Sequence, residues 1–171
     1  MSQPFIVTAA LPKEIQSWAD GLRKKYYPVN RNKLHAHVTL FHSFAPSLFE
    51  ELKTFLPSVT SEFAKPKGNI SGVMDLGKGT ALSIESVSML DIRKLVADHF
   101  HGSLTSQDSY EPRLHVTIQN KVSKEEARAL QAYLTASFRP RRFEFPSLEL
   151  HVYRDGPWEL VKRCAFRGNT C

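Results

Sequence analysis

The chain has 171 residues with 42% hydrophobic content, enough for one domain with a sizeable core. Lys and Arg outnumber Asp and Glu by 23 to 17, and a net charge of +6 favours anionic partners such as RNA ends, nucleotides or a cyclic-phosphate metabolite. Two cysteines, Cys164 and Cys171, are too few for a disulfide framework, and no apolar run approaches the roughly 18 residues of a membrane span, so a cytoplasmic monomer without membrane attachment is expected.

In chain order, "PFIVTAAL" reads as a short buried strand and "PKEIQSWADGLRKKYY" as a helix, with Ile15, Trp18, Ala19 and Leu22 at helical spacing. "LHAHVTLFHSF" is again strand-like, and "PSLFEELKTFLPSV" carries Leu48, Leu52, Phe55 and Leu56 on one helical face. "NISGVMDLGKGTALSIES" predicts a β-hairpin turning at "LGKGT", and "MLDIRKLVADHFHGSL" a third helix. "RLHVTIQN" is the next strand. "SKEEARALQAYLTASF" opens with Ser123 as N-cap and Glu126 three residues on, the capping-box pattern. The tail, "RFEFPSLELHVYRDGPWELVKRCAFRG", predicts a closing hairpin around "RDGPW". The chain thus reads as a single α+β unit over 1–171, with four helices, about seven strands, and two halves that each carry one His-Val-Thr strand, as an internal duplication would leave.

The repetition of His-Val-Thr, at 37–39 and 115–117, is the informative feature. In a chain of this composition about 0.4 His-x-Thr triplets are expected at random, but only roughly 0.02 with Val between. On a strand, residues i and i+2 share a face. His37 and Thr39 then face one way, with Val38 and Leu40 toward the core; His115 and Thr117 repeat the arrangement before Val116 and Ile118. Two imidazoles and two hydroxyls converging on one cleft suit a phosphodiester. The hydroxyls donate to non-bridging oxygens, one imidazole takes a proton from the nucleophile, and the other gives one to the leaving oxygen, without any metal or other cofactor.

Twin H-x-T-hydrophobic motifs, one in each half of a chain of this size, resemble those of the two-histidine (2H) phosphoesterase superfamily, and in particular its LigT-like branch of 2′-5′ RNA ligases and 2′,3′-cyclic phosphodiesterases. The closing "HVYRDGPWELVKRCAF" resembles the Gly-Pro-aromatic hairpin near the end of that group. The resemblance implies a bilobal fold in which two pseudo-symmetric halves line a central cleft with antiparallel sheets and place helices outside. It implies His37 and His115 as the acid–base pair, and Thr39 and Thr117 as phosphate ligands. It further implies metal-independent action on 2′,3′-cyclic phosphates or 2′-5′ linkages, with ligation as the reverse reaction. Many members carry Pro directly before the second motif histidine, whereas here the order is Pro112-Arg113-Leu114-His115.

Secondary candidates for substrate contact are His35, sharing strand parity with His37; Phe41, on the parity of Thr39; Arg113, two residues before His115; Lys121; and Tyr153 and Arg154 at the terminal turn. His42, on the opposite parity, reads as structural. Two other functions compete. One is a binding module that recognises an RNA end or nucleotide without turnover. The other is a metal-dependent hydrolase built on His35 and His37, for which no third ligand stands at supporting spacing.

Overall fold

Short runs of β-branched and aromatic residues form eight strands, and the four stretches with helical apolar spacing form four α-helices, among residues 3–169, which the computed structural model describes. Cys171 lies outside the described residues. The order is β1 (Phe5–Ala9), α1 (Lys13–Tyr26), β2 (Val38–Phe44), α2 (Phe49–Glu62), β3 (Lys67–Asp75), β4 (Thr80–Glu85), α3 (Val87–His99), β5 (His115–Gln119), α4 (Lys124–Ala136), β6 (Arg141–Glu144), β7 (Ser147–Tyr153) and β8 (Trp158–Ala165). Two four-stranded antiparallel sheets result, ordered β2-β1-β7-β8 and β5-β4-β3-β6.

Strand β6 departs from the expectation drawn from sequence. Periodicity places "RFEF" with the terminal hairpin, yet Arg141–Glu144 pairs with β3 in the second sheet. Pro146, which has no N–H for a ladder, stands just beyond, and the chain then crosses to the first sheet as β7. The predicted turn at "RDGPW" joins β7 to β8.

One core serves both sheets. Phe41, Phe44, Phe145, Leu52, Leu56, Met89 and Ile118 are fully buried in it, each contributing about 1.5–3 kcal/mol of transfer free energy. Ser123 caps α4 as predicted, its hydroxyl accepting from the Glu126 N–H at 3.1 Å, and Ser86 caps α3 through the Met89 N–H. Gly79 closes the β3–β4 turn against the end of β5, where a Cβ would run into the Gln119 carbonyl. Cys164 is a buried free thiol, raised in pKa by that burial. Among the described residues no helix is long and apolar enough to cross a membrane.

β2 and β5 are edge strands, and these two edges approach one another where the sheets meet. Both break register at the same point of their motifs. On β2, Thr39 pairs with Thr8 and Phe41 with the adjacent Val7, leaving Leu40 over; on β5, Thr117 pairs with Ala81 and Gln119 with the adjacent Thr80, leaving Ile118 over. An extra residue of this kind is a β-bulge, which bends its strand and re-aims the side chains beyond it.

Candidate active site

The bulges explain why alternation read from His37 holds for two residues and then fails. His37 and Thr39 face a cavity of about 510 Å³, and so do His115 and Thr117 from the other sheet. Beyond the bulge the parity of β2 inverts. Phe41, expected in the cleft, is fully buried in the core; His42, expected behind the sheet, lines the cavity instead.

The two motif imidazoles are held by one device. His37 Nδ1 lies 2.7 Å from the carbonyl oxygen of His35, and His115 Nδ1 lies 2.6 Å from that of Arg113. A carbonyl only accepts, so in both rings Nδ1 carries the hydrogen and Nε2 is left for proton exchange. The carbonyl two residues upstream thereby fixes tautomer and ring orientation together.

The surroundings of the two rings differ. Trp158 of β8 packs against His37 with ring centroids 4.7 Å apart, and against His151 of β7 at 5.7 Å. Removal from water pushes the His37 imidazole down to about 4; its hydrogen bond to the His35 carbonyl opposes this, and the nearby Arg23, His151 and His115 assist it. His151 is also lowered by burial, and its Nε2 lies 3.1 Å from the hydroxyl of the buried Thr8. Around the second motif the neighbours are small: Ala81 stands opposite Thr117 and Ser83 opposite His115.

Of the secondary candidates, Tyr153 lines the cavity with the two motifs. His35 does not. Its Nδ1 lies 3.2 Å from Asp20 Oδ2, and it lines a neighbouring hollow of about 460 Å³ that shares His37 and Trp158 with the main cavity but not Thr39. Arg113 and Lys121 lie outside the cavity, and Arg154 is engaged by Glu159 at 2.7 Å. Among the described residues no group of three or more His, Cys, Asp or Glu side chains could hold a metal ion.

Four residues of the site and its supports stand outside the candidates drawn from sequence. Trp158 is the aromatic residue of the Gly-Pro-aromatic hairpin, a signal that could have found it. Asp108, in the stretch 105–112 that predicts no element, is buried and accepts from the N–H groups of His42 and Ser43 and from His42 Nδ1. Burial raises its pKa, but those hydrogen bonds prevail and hold it below the ordinary carboxylate value. Arg23 and Arg93 are buried guanidiniums, lowered in pKa by desolvation. Each stands in an apolar stripe, Arg23 after Ile15 and Ala19, Arg93 between Met89 and Val96, and that placement is the one signal the sequence offers.

A family model described as the 2′-5′ RNA ligase superfamily matches residues 11–157. No curated protein sequence matches the chain. Among solved structures, TT0787 of Thermus thermophilus superposes with a TM-score of 0.67 at 12% identity, covering 97% of this chain and 99% of that one. LigT of E. coli complexed with NADP+ gives 0.63 at 12% identity, covering 98% and 99%. The same protein complexed with 3′-AMP gives 0.58 at 13% identity, covering 97% and 99%. These likenesses establish a shared fold.

Proposed function

The chain belongs to the 2′-5′ RNA ligase superfamily, and from that premise we propose that it is a metal-independent phosphodiesterase acting on 2′,3′-cyclic phosphate or 2′-5′-linked RNA or nucleotide substrates. The observation that carries this reading is the pairing of His37 and His115 across one cavity, each with Nδ1 tied to a carbonyl and Nε2 free. Thr39 and Thr117 stand beside them as hydroxyl donors for the non-bridging phosphate oxygens. The nucleotides held by E. coli LigT in its complexes, NADP+ and 3′-AMP, belong to the anionic class that a chain of charge +6 attracts.

On a cyclic phosphate, His37, held neutral by its dry surroundings, accepts a proton from water at Nε2 as the water oxygen bonds to phosphorus. The bond from phosphorus to one ribose oxygen breaks, and protonated His115 gives that oxygen the hydrogen from its Nε2. The product is a phosphomonoester, and exchange with solvent returns both rings to their starting states. Ligation uses the same atoms in reverse, with a ribose hydroxyl as nucleophile; at cellular water activity hydrolysis dominates. We also read the chain as one bilobal unit that arose by internal duplication, because motif, tether and bulge recur together.

The test is an assay in a strong chelator against 2′,3′-cyclic nucleotides and a 2′-5′-linked oligoadenylate, with His37→Ala and His115→Ala alongside. Turnover by the parent protein and its loss in both variants is the expected result. Nucleotide binding without turnover would point instead to a recognition module, and activity abolished by the chelator to a metal-dependent hydrolase.

A further inference from the structure

The buried guanidiniums of Arg23 and Arg93 cross between the halves in opposite directions. Arg23, on α1, donates through a terminal nitrogen to the carbonyl of Thr117 at 2.7 Å and through Nε to Asn32 Oδ1 at 3.2 Å, with its guanidinium 4.2 Å from the centre of the Tyr27 ring. Arg93, on α3, donates through Nε to the carbonyl of Leu40 at 3.1 Å and through a terminal nitrogen to the carbonyl of Asp108 at 2.6 Å, lying 4.1 Å from the centre of the Phe41 ring. Thr117 is the last paired residue before the second bulge, and Leu40 is the extra residue of the first. Each arginine therefore holds the other half's strand where it bends, at or beside a motif threonine.

A buried cation hydrogen-bonded to carbonyls and a side-chain amide, with no carboxylate among its hydrogen-bond partners in the described residues, is costly to desolvate and is not what an apolar stripe ordinarily holds. Such departures from local rules are expected where geometry is being held for function. A guanidinium suits the task because its planar fork reaches two acceptors at fixed angles, which an ammonium on a flexible stem does not. The arrangement is also reciprocal, so both motif strands are referenced to a helix of the opposite half.

We propose that Arg23 and Arg93 are positioning residues that form a reciprocal brace, setting the two His-x-Thr strands at the separation and tilt their shared cavity requires. Arg23 has a second effect. It leads the charged groups acting on the His37 ring, so it disfavours protonation there, while Arg93 does not figure among them. The brace rests on the two-histidine reading for its kinetic consequence but not for its geometry.

The experiment compares Arg23→Lys, Arg23→Met, Arg93→Lys and Arg93→Met with the parent protein by steady-state kinetics on a 2′,3′-cyclic nucleotide, thermal unfolding, and NMR titration of the histidine rings. The lysine variants keep a positive charge and are the ones to rely on if a methionine variant fails to fold. The expected result is a kcat lower by about tenfold to a hundredfold with KM changed less than about threefold, in variants still folded at the assay temperature. Arg23→Met, and not Arg93→Met, should also raise the His37 titration point. Folded lysine variants with parental kcat would overturn the brace, whatever their melting temperatures. If the parent protein turns over none of the substrates, the functional reading fails separately, and the ring spectra decide: altered His37 and His115 resonances in both lysine variants support the brace, and unaltered ones overturn it.

Discussion

The two halves of the cleft carry the same motif on the same kind of strand, yet they offer their histidines different surroundings. In each, an edge strand presents His and Thr, a bulge comes after the threonine, and the carbonyl two residues upstream fixes Nδ1. Beside the first motif the sheet continues into β7 and β8, which bring Trp158 against His37 and His151 onto Trp158. Beside the second motif stand Ala81 and Ser83. The motif therefore supplies two imidazoles tethered alike, and the neighbouring strands favour the neutral form of one, His37, which suits it to the base's part in the proposed mechanism. In that mechanism the division of labour is written outside the repeated residues.

The largest effect should come from breaking either half. His37→Ala and His115→Ala should each lower kcat by about 100- to 10,000-fold, and the double variant should be scarcely worse than either, because a proton taken and a proton given belong to one step. Additive losses would mean that the rings act independently. Next are the hydroxyls. Thr39→Val and Thr117→Val should each lower kcat by about 100-fold if both donate to the charge that develops on phosphate, and the ratio of the two losses measures how evenly the halves share it.

Trp158→Ala sharpens the comparison from the other direction. Opening the wall beside His37 restores water to that ring, so the acidic limb of kcat/KM should move up from about 4 toward 6.5, with a smaller loss of rate than the threonine variants show. The smallest effect is on stability. The folded-state pKa of His37 lies below its unfolded value, so between pH 6.5 and about 4 the unfolded chain binds a proton that the folded one refuses. Stability should fall as pH drops through that window, by on the order of 1 kcal/mol after solvent screening. Urea unfolding of the parent and of His37→Gln at both ends of the window isolates this share, since the variant lacks it.

Periodicity made most of the fold legible. Helical spacing locates α1 to α4, Ser123 marks a true cap, and alternation places His37, Thr39, His115 and Thr117 correctly because all four precede the bulges. The same rule misplaces Phe41 and His42, which lie beyond one; a bulge depends on pairing with β1, and pairing is not local in sequence. Strand β6 merges with its neighbour in a sequence reading because four residues ending near a proline carry no sign of which sheet they join. Arg23 and Arg93 stand in apolar stripes, but arginine on a helix is ordinarily solvated, and only the tertiary fold shows which carbonyls they meet. Asp108 sits in a segment without periodicity, where nothing local could say that two backbone N–H groups of β2 awaited it.

The measurement that bears most directly on the central claim, that two like histidines work in opposite protonation states, is the pH dependence of kcat/KM on a 2′,3′-cyclic nucleotide together with an NMR titration of His37. The account predicts a bell whose acidic limb lies near pH 4 and coincides with the titration of the His37 ring. A rate still rising at about pH 10, or an acidic limb that departs from the His37 titration, would contradict it.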